Sequence, residues 1–366
     1  MLLEMPVLPG IVAGRGSTRP AAGFGLTVDD VVGSGTGELV ERYAASIVPD
    51  PLPRASARTP LESWIPFSDR QYAEPGFPFA DPRTLPDLQW TVAWDVARRT
   101  PVEVPRDLVY LTVSDGPEWC TMTSNGLAAG RTAGAAARSA VLELVERDAF
   151  FRAWYAGRSH PTLALDRLVA AGETAGLDPA LVRHGRRILD AGVSVTLVRL
   201  PSATSAVSVI VACARSETVG LAIGCGARGD VRDALRSALI EAAHTYSWAL
   251  DLMAEPDREI DDPITAHVAH HARPGGGGSN AFLDAGAGVD VNSFLASSPR
   301  PLSGILGSLG DAGWDVYLAD VAPSDVRRNG WHVIRALSPS AATLDVGPIH
   351  EAQHPVIHHR EPHPFP

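Results

Sequence analysis

The chain has 366 residues, 45% of them hydrophobic, with 31 Lys and Arg against 42 Asp and Glu and a formal net charge of −11 at pH 7. Such a length supports a large buried core, and the acidic balance excludes a surface built for DNA, RNA or anionic membranes. The three cysteines, Cys120, Cys213 and Cys225, show no C-x-x-C spacing; this excludes a zinc knuckle and fits a reducing cytosol.

In chain order, MLLEMPVLPG lacks a basic flank and is interrupted by Glu4, Pro6 and Pro9, so it is not a signal peptide. No later apolar stretch reaches the length of a membrane span, and a cytoplasmic location is expected. Residues 1–25, rich in Gly and Pro, lead into a helix predicted over 28–46. Residues 50–85 are proline-rich, and Trp64, Tyr72, Phe77 and Phe79 are expected to pin an irregular loop to the surface. Strands are predicted at 88–97 and 101–113, then a turn at SNGLAAG and a helix over 132–156. A middle block reads as a helix at 178–191, valine-rich strands at 193–200, 206–213 and 218–225, and a helix from 230 to 252. RPGGGGSN at 273–280 reads as flexible. A helix at 300–311 with strands at 314–320 and 331–336 reads as a smaller α/β unit, and from Pro339 no periodicity remains. Helices alternating with strand pairs predict an α/β or α+β fold with mixed sheets.

Three of the predicted helices share a polar signature: Ser34, Glu38, Glu41; Ser139, Glu143, Glu146; and Ser237, Glu241, His244. With about 3.6 residues per turn, these spacings return to nearly one face, so each trio is a polar stripe. Leu39, Val40, Val141, Leu142, Leu239 and Ile240 flank the stripes, placing carboxylates beside core material where they need a compensating cation. A solvated helix face explains any one copy, but three copies with serine at the same offset point to a metal site. Oxygen ligands suit a hard cation such as Mg2+, and Mg2+ points in turn to phosphates. The recurrence also suggests internal pseudo-duplication.

The remaining motifs are weaker. Gly224, Gly226 and Gly229 in GCGARG satisfy G-x-G-x-x-G, yet no acidic residue ends a second strand at the right distance; a tight strand-to-helix turn is expected instead. His267, His270 and His271 have no acidic partner at metal-ligand spacing and read as structural or surface residues; His350, His354, His358, His359 and His363 fall in the aperiodic tail. The chain stops on Pro362, His363, Pro364, Phe365, Pro366: either a disordered proline-rich end or a stiff arm delivering a carboxylate.

From Gly23 to Pro366 these residues resemble the YcaO superfamily, specifically its azoline-forming cyclodehydratases. The resemblance is carried by Gly23 to Thr27 with GELVERYAAS, by SNGLAAGRTAGAAARSAVLELVERDAF, by DVAPSDVRRNGWHVIRALSPS and by the P-x-P-x-P end. It implies an N-terminal extension over 1–22, a YcaO domain over 23–340 and an extended tail over 341–366. It further implies an ATP-dependent enzyme of thiazole/oxazole-modified microcin or bacteriocin biosynthesis. In such enzymes a Cys, Ser or Thr side chain of a ribosomal precursor peptide attacks the preceding carbonyl. The resulting oxyanion takes the ATP γ-phosphoryl group, and phosphate leaves to give thiazoline or oxazoline.

On this resemblance Glu38, Glu41, Glu143, Glu146 and Glu241 hold Mg2+ and, with Ser34, Ser139, Ser237 and His244, the ATP phosphates, while Pro366 supplies a base through its carboxylate. A separate ThiF-like or leader-binding partner, and a homodimer or hetero-complex, are implied. His244 departs from the family's usual glutamine, and TYSWALDLM lacks the arginine that relatives often carry. Two other readings follow: a non-catalytic scaffold that binds peptide, and a YcaO enzyme forming thioamides or amidines.

Overall fold

The computed structural model describes residues 3–5, 21–112, 116–255, 259–275, 280–354 and 356–365, and of residues 3–5, 21, 22 and 173 the backbone alone. The strands are β1 (Leu3–Met5), β2 (Ala21–Gly23), β3 (Trp90–Asp95), β4 (Thr100–Pro105), β5 (Leu127–Gly130), β6 (Thr162–Ala164), β7 (Ser194–Leu200), β8 (Ser208–Arg215), β9 (Ala222–Arg228), β10 (Tyr317–Asp320) and β11 (His332–Leu337). The α-helices are α1 (Val28–Ala45), α2 (Asp69–Tyr72), α3 (Ala133–Ala156), α4 (Leu165–Ala171), α5 (Pro179–Asp190), α6 (Val231–Ala254), α7 (Pro263–Ala272), α8 (Val291–Phe294), α9 (Leu302–Asp311) and α10 (Ser324–Arg328). None of the described helices is long and apolar enough to cross a membrane.

The chain divides into two compact units, Met1–Arg147 with Leu302–Pro355, and Asp148–Pro301 with Val356–Pro366. The first is built on an antiparallel sheet in the order β4-β3-β10-β11-β5. Val104, Val109, Trp119, Leu127 and Val333 form its core with Ala44 and Ala45 of α1. Helix α1 starts where Thr27 and Asp30 exchange side-chain and backbone hydrogen bonds, satisfying two of the orphan donors at the helix start. At α3, Thr132 Oγ1 accepts the Ala135 N–H at 3.1 Å. A separate antiparallel pair joins β1 to β2.

The second unit carries the antiparallel order β6-β7-β8-β9. Helix α6 lies on this sheet through Ala234, Ala238 and Ala242, which are nearly or fully buried. The approach is so close that a Cβ on Gly224 would meet the backbone N of Ala242 at 2.1 Å, and one on Gly226 the Ala234 oxygen at 2.2 Å. Those two glycines therefore lie within β9 and admit the helix backbone. The strand-to-helix turn expected at GCGARG is displaced towards Gly229, and no dinucleotide loop is formed there.

The expected α/β class holds, but each main sheet is antiparallel where mixed sheets were expected, because alternation of helices and strands in sequence does not report strand direction. The strand expected over 101–113 ends at Pro105, where a 3-10 turn over Arg106–Leu108 leads away from the sheet. SNGLAAG, expected as a turn, contains the edge strand β5. The smaller unit expected over 300–336 is not separate: β10 and β11 insert between β3 and β5. Local periodicity carries no information about pairings so distant in sequence.

The proline-rich loop goes deeper than expected. Trp64 is 6% exposed and meets Tyr317 at 5.5 Å between ring centroids, while Phe67 gathers Tyr72, Phe77 and Phe79 around it. The stretch read as flexible at 273–280 includes residues 276–279, which lie outside the described residues.

Candidate functional site

In the first unit α1 and the N-terminal part of α3 bring four of the predicted carboxylates together: Glu38, Glu41, Glu143 and Glu146. Glu41 Oε1 accepts the Ala129 N–H of β5 at 2.7 Å, which fixes the side chain across the gap between helix and edge strand. Burial pushes the Glu41 carboxyl up to about 8; the Ala129 bond opposes this, and the charges of Glu143 and Glu38 reinforce it. Glu38 is ion-paired with Arg42 one turn on.

Glu143 shows the same conflict. Its side chain keeps 24% exposure, yet protein atoms crowd it closely enough that desolvation pushes it up to about 7. Arg147, 3.7 Å away, offsets part of this, Glu146 adds to it, and Arg335 and a backbone hydrogen bond from Gly126 oppose it. Gly126 has φ +71, a left-handed conformation that favours glycine, and an added Cβ would meet the Ala336 oxygen at 2.4 Å. Glu146 is 8% exposed.

Arg335 on β11 was not singled out by sequence. It is 5% exposed and donates to the carbonyls of Leu108 at 3.1 Å and Thr123 at 2.8 Å. Burial lowers its guanidinium to about 10, and Glu143 opposes that fall. Among the described residues its buried Nη1 has no hydrogen-bond partner. An arginine at the buried centre of a strand reading His-Val-Ile-Arg-Ala-Leu was the available signal.

The serines differ in their surroundings. Ser34 is exposed and tied to its own loop: its Oγ accepts from Phe24 N at 2.9 Å and donates to the Phe24 carbonyl at 3.0 Å. Ser139 is exposed on α3.

The third stripe lies on α6 in the second unit. Glu241 Oε2 accepts the Cys225 N–H of β9 at 2.6 Å, the counterpart of the Glu41 contact with an edge strand. Ser237 and His244 are half-buried on the same helix. Pro366 lies outside the described residues, but the tail leading to it is packed into this unit, with His363 1% and Phe365 0% exposed. His363 is thus a core residue, as are His350 and His354 in the first unit, where His350 Nδ1 lies 2.6 Å from Asp345, whereas His359 is half-buried and His358 exposed.

Among the described residues no group of three His, Cys, Asp or Glu side chains is arranged to hold a metal ion by itself. Mg2+, however, generally takes one or two protein carboxylates and completes its shell with water and phosphate oxygens. Glu41 and Glu143, desolvated and mutually repelling, are an oxygen donor pair that a divalent cation would relieve. The donor set fits Mg2+ with a bound phosphate.

A family model described as YcaO cyclodehydratase, ATP- and Mg2+-binding, matches residues 22–342. No match was found among curated proteins. Among solved structures, a heterocyclase in complex with substrate and cofactor is similar at a TM-score of 0.71 and 20% identity. That match covers 88% of this chain and 45% of the other, so the chain spans less than half of that protein's length. YcaO from Methanopyrus kandleri bound with AMPPCP and Mg2+ is similar at a TM-score of 0.66 and 23% identity, covering 94% of this chain and 84% of that one. The Escherichia coli microcin synthetase McbBCD complex gives a TM-score of 0.65 at 12% identity, covering 88% and 82%. At these identities the likeness is one of fold.

Proposed function

This chain belongs to the YcaO family, and from that premise we propose that it is an ATP-dependent peptide cyclodehydratase. Its substrate on this reading is a ribosomal precursor peptide, whose Cys, Ser or Thr residues become thiazoline or oxazoline. The observation that carries the proposal is the mutual repulsion of Glu41 and Glu143, two desolvated carboxylates on separate helices whose charges call for a cation.

Glu38, Glu41, Glu143, Glu146 and Glu241 would hold Mg2+ and, through it, the phosphates of ATP. When bound, Mg-ATP supplies the phosphoryl group that makes the substrate carbonyl oxygen a leaving group, so that each ring costs the peptide one water and releases ADP and phosphate. The protein's own part is positioning and charge neutralisation. The backbone N–H groups of Ala129 and Cys225 fix the rotamers of Glu41 and Glu241, keeping the carboxylates aimed before any ligand arrives. Ser139 and Ser237 lie one turn earlier on their stripes, where a hydroxyl can donate to phosphate or to a water; Ser34 does so only if it gives up its bonds to Phe24. The Pro366 carboxylate would take the proton from the attacking thiol or hydroxyl; the burial of Phe365 supports this by fixing the chain one residue before it.

A leader-binding partner protein belongs to the proposal, and peptide-bound and multi-protein relatives support it: one similar structure is the McbBCD complex with pro-MccB17 bound. His244 favours a second reading, a non-catalytic subunit that binds peptide. Incubation with partner, precursor peptide and Mg-ATP should give a product lighter by one water per ring, with matching phosphate release. Peptide binding without mass loss or phosphate release would establish the second reading instead.

A further inference from the structure

His271, in the last turn of α7, is 0% exposed, and both of its ring nitrogens are engaged. Nε2 lies 2.6 Å from the Pro362 carbonyl, which only accepts, so Nε2 carries the proton. Nδ1 lies 2.8 Å from Asn280 Nδ2. The Asn280 amide cannot be turned over, because its Oδ1 accepts from Arg215 Nη2 at 3.0 Å and a guanidinium has no acceptor. Arg215 is held in turn by Asp284, 2.7 Å from Nε, and by the Gly220 carbonyl at 2.7 Å. This chain of bonds has one proton arrangement, and in it His271 is neutral.

The segment gripped at Pro362 is also held by hydrogen bonds and ring contacts: upstream, the His358 and His359 N–H groups donate to the Tyr155 carbonyl at 2.8 and 3.0 Å. Phe365 meets Phe150 edge-on at 4.9 Å, His363 meets His267 at 4.6 Å and Phe151 at 4.9 Å, and Trp154 Nε1 donates to the Glu361 carbonyl at 3.1 Å. We propose that His271 is the positioning residue of the C-terminal segment, holding it only while the imidazole is neutral, so that protonation of this one ring releases the segment.

A proton on Nδ1 would point at the amide hydrogens of Asn280, and Arg215 blocks the flip that would present oxygen instead. The surroundings add to the penalty. Burial pushes His271 down to about 4; the Pro362 carbonyl opposes this, while His270, His267 and His359 deepen it. His270 stands edge-on at 4.9 Å with its Nε2 3.8 Å from Glu361, and Glu361 also faces His359. Asp262 faces His267. Arg215 and Asp284 lie on the far side of Asn280. The released imidazole has its ordinary value of 6.5, so between about 4 and 6.5 the released state binds the extra proton. Docking is therefore complete above that window and weakens as pH falls through it.

The test is amide hydrogen exchange of residues 356–365 in the full chain between pH 5 and 8, corrected for intrinsic rates. Nucleotide and peptide are left out, so the result does not depend on the proposed chemistry. Wild-type protection should be flat above about pH 6.5 and fall by up to about tenfold per pH unit below it. Asn280→Asp supplies an acceptor for the Nδ1 proton and keeps the Arg215 partner, so protection should persist to pH 5. His271→Gln keeps one donor and one acceptor without titrating, and should remove the acid loss. A flat wild-type profile, or acid loss in both variants at the wild-type midpoint, overturns the proposal.

Discussion

Glu41 Oε1 accepts the backbone N–H of Ala129 at 2.7 Å, and this one bond holds a carboxylate against the edge of a sheet, where burial and neighbouring charge disfavour its ionisation. The bond fixes the direction of the side chain, and the unfavourable environment prepares it for a cation. Both features are expected of a group whose charge is meant to be completed by a ligand.

The Glu41 carboxyl is raised from 4.5 to about 8, so the folded state binds the extra proton between those values and stability falls as pH rises through them. Ligand-free wild-type protein should melt several degrees lower at pH 8 than at pH 6, and Glu41→Gln should flatten that part of the profile. Adding Mg-ATP at pH 8 should raise the melting temperature of wild type more than that of the variant. Equal pH profiles for the two proteins would refute the environment described for Glu41.

Replacing Glu143 or Glu146 by alanine should lower ATP turnover by at least ~100-fold while circular dichroism is preserved, since each removes charge from the proposed phosphate-positioning cluster. Unchanged turnover would remove both from the metal site.

Arg335 is buried beside Glu143 and bonded to two carbonyls. Arg335→Met should destabilise by roughly 3 kcal/mol in urea unfolding, because two acceptors and a carboxylate lose their cation. Combined with Glu143→Gln, the loss should be smaller than the sum of the single effects by ~0.5 kcal/mol or more. Strict additivity would mean that the two charges do not interact.

The tail separates packing from chemistry. Phe365→Ala should cost about 3–5 kcal/mol, as expected for a fully buried phenyl ring. Removing Pro366 alone should leave thermal stability and nucleotide binding within error of wild type, yet reduce ring formation at least ~10-fold. Normal ring formation by that truncated protein would leave the tail a purely structural role.

Much of the fold was legible in the sequence, because its signals are local. The helices over Val28–Ala45, Ala133–Ala156 and Val231–Ala254 follow from apolar flanks around polar stripes, and their starts at Thr27, Thr132 and Asp230 follow from side chains that cap a helix. The resemblance of 124–150 to a known family likewise depends on consecutive residues. Non-local choices were not legible. β10 and β11 enter the sheet between β3 and β5, and β5 hides in a stretch whose Gly and Asn suggest a turn. Neither periodicity nor propensity reports which distant strand completes a ladder.

The sequence alone determined the family, the three helices that carry the polar stripes and the residue types of the candidate site, because helical spacing fixes which side chains share a face. Only the tertiary structure decided the electrostatic state of those side chains. Glu38 and Glu41 carry the same group three residues apart, yet one is paired with Arg42 while the other is pressed against β5 and Glu143. It likewise decided that His350, His354 and His363 are core, and that His271 grips Pro362. The physical reason is the same in both cases: desolvation and Coulomb energy depend on what lies across space, and a sequence specifies that only once it has folded.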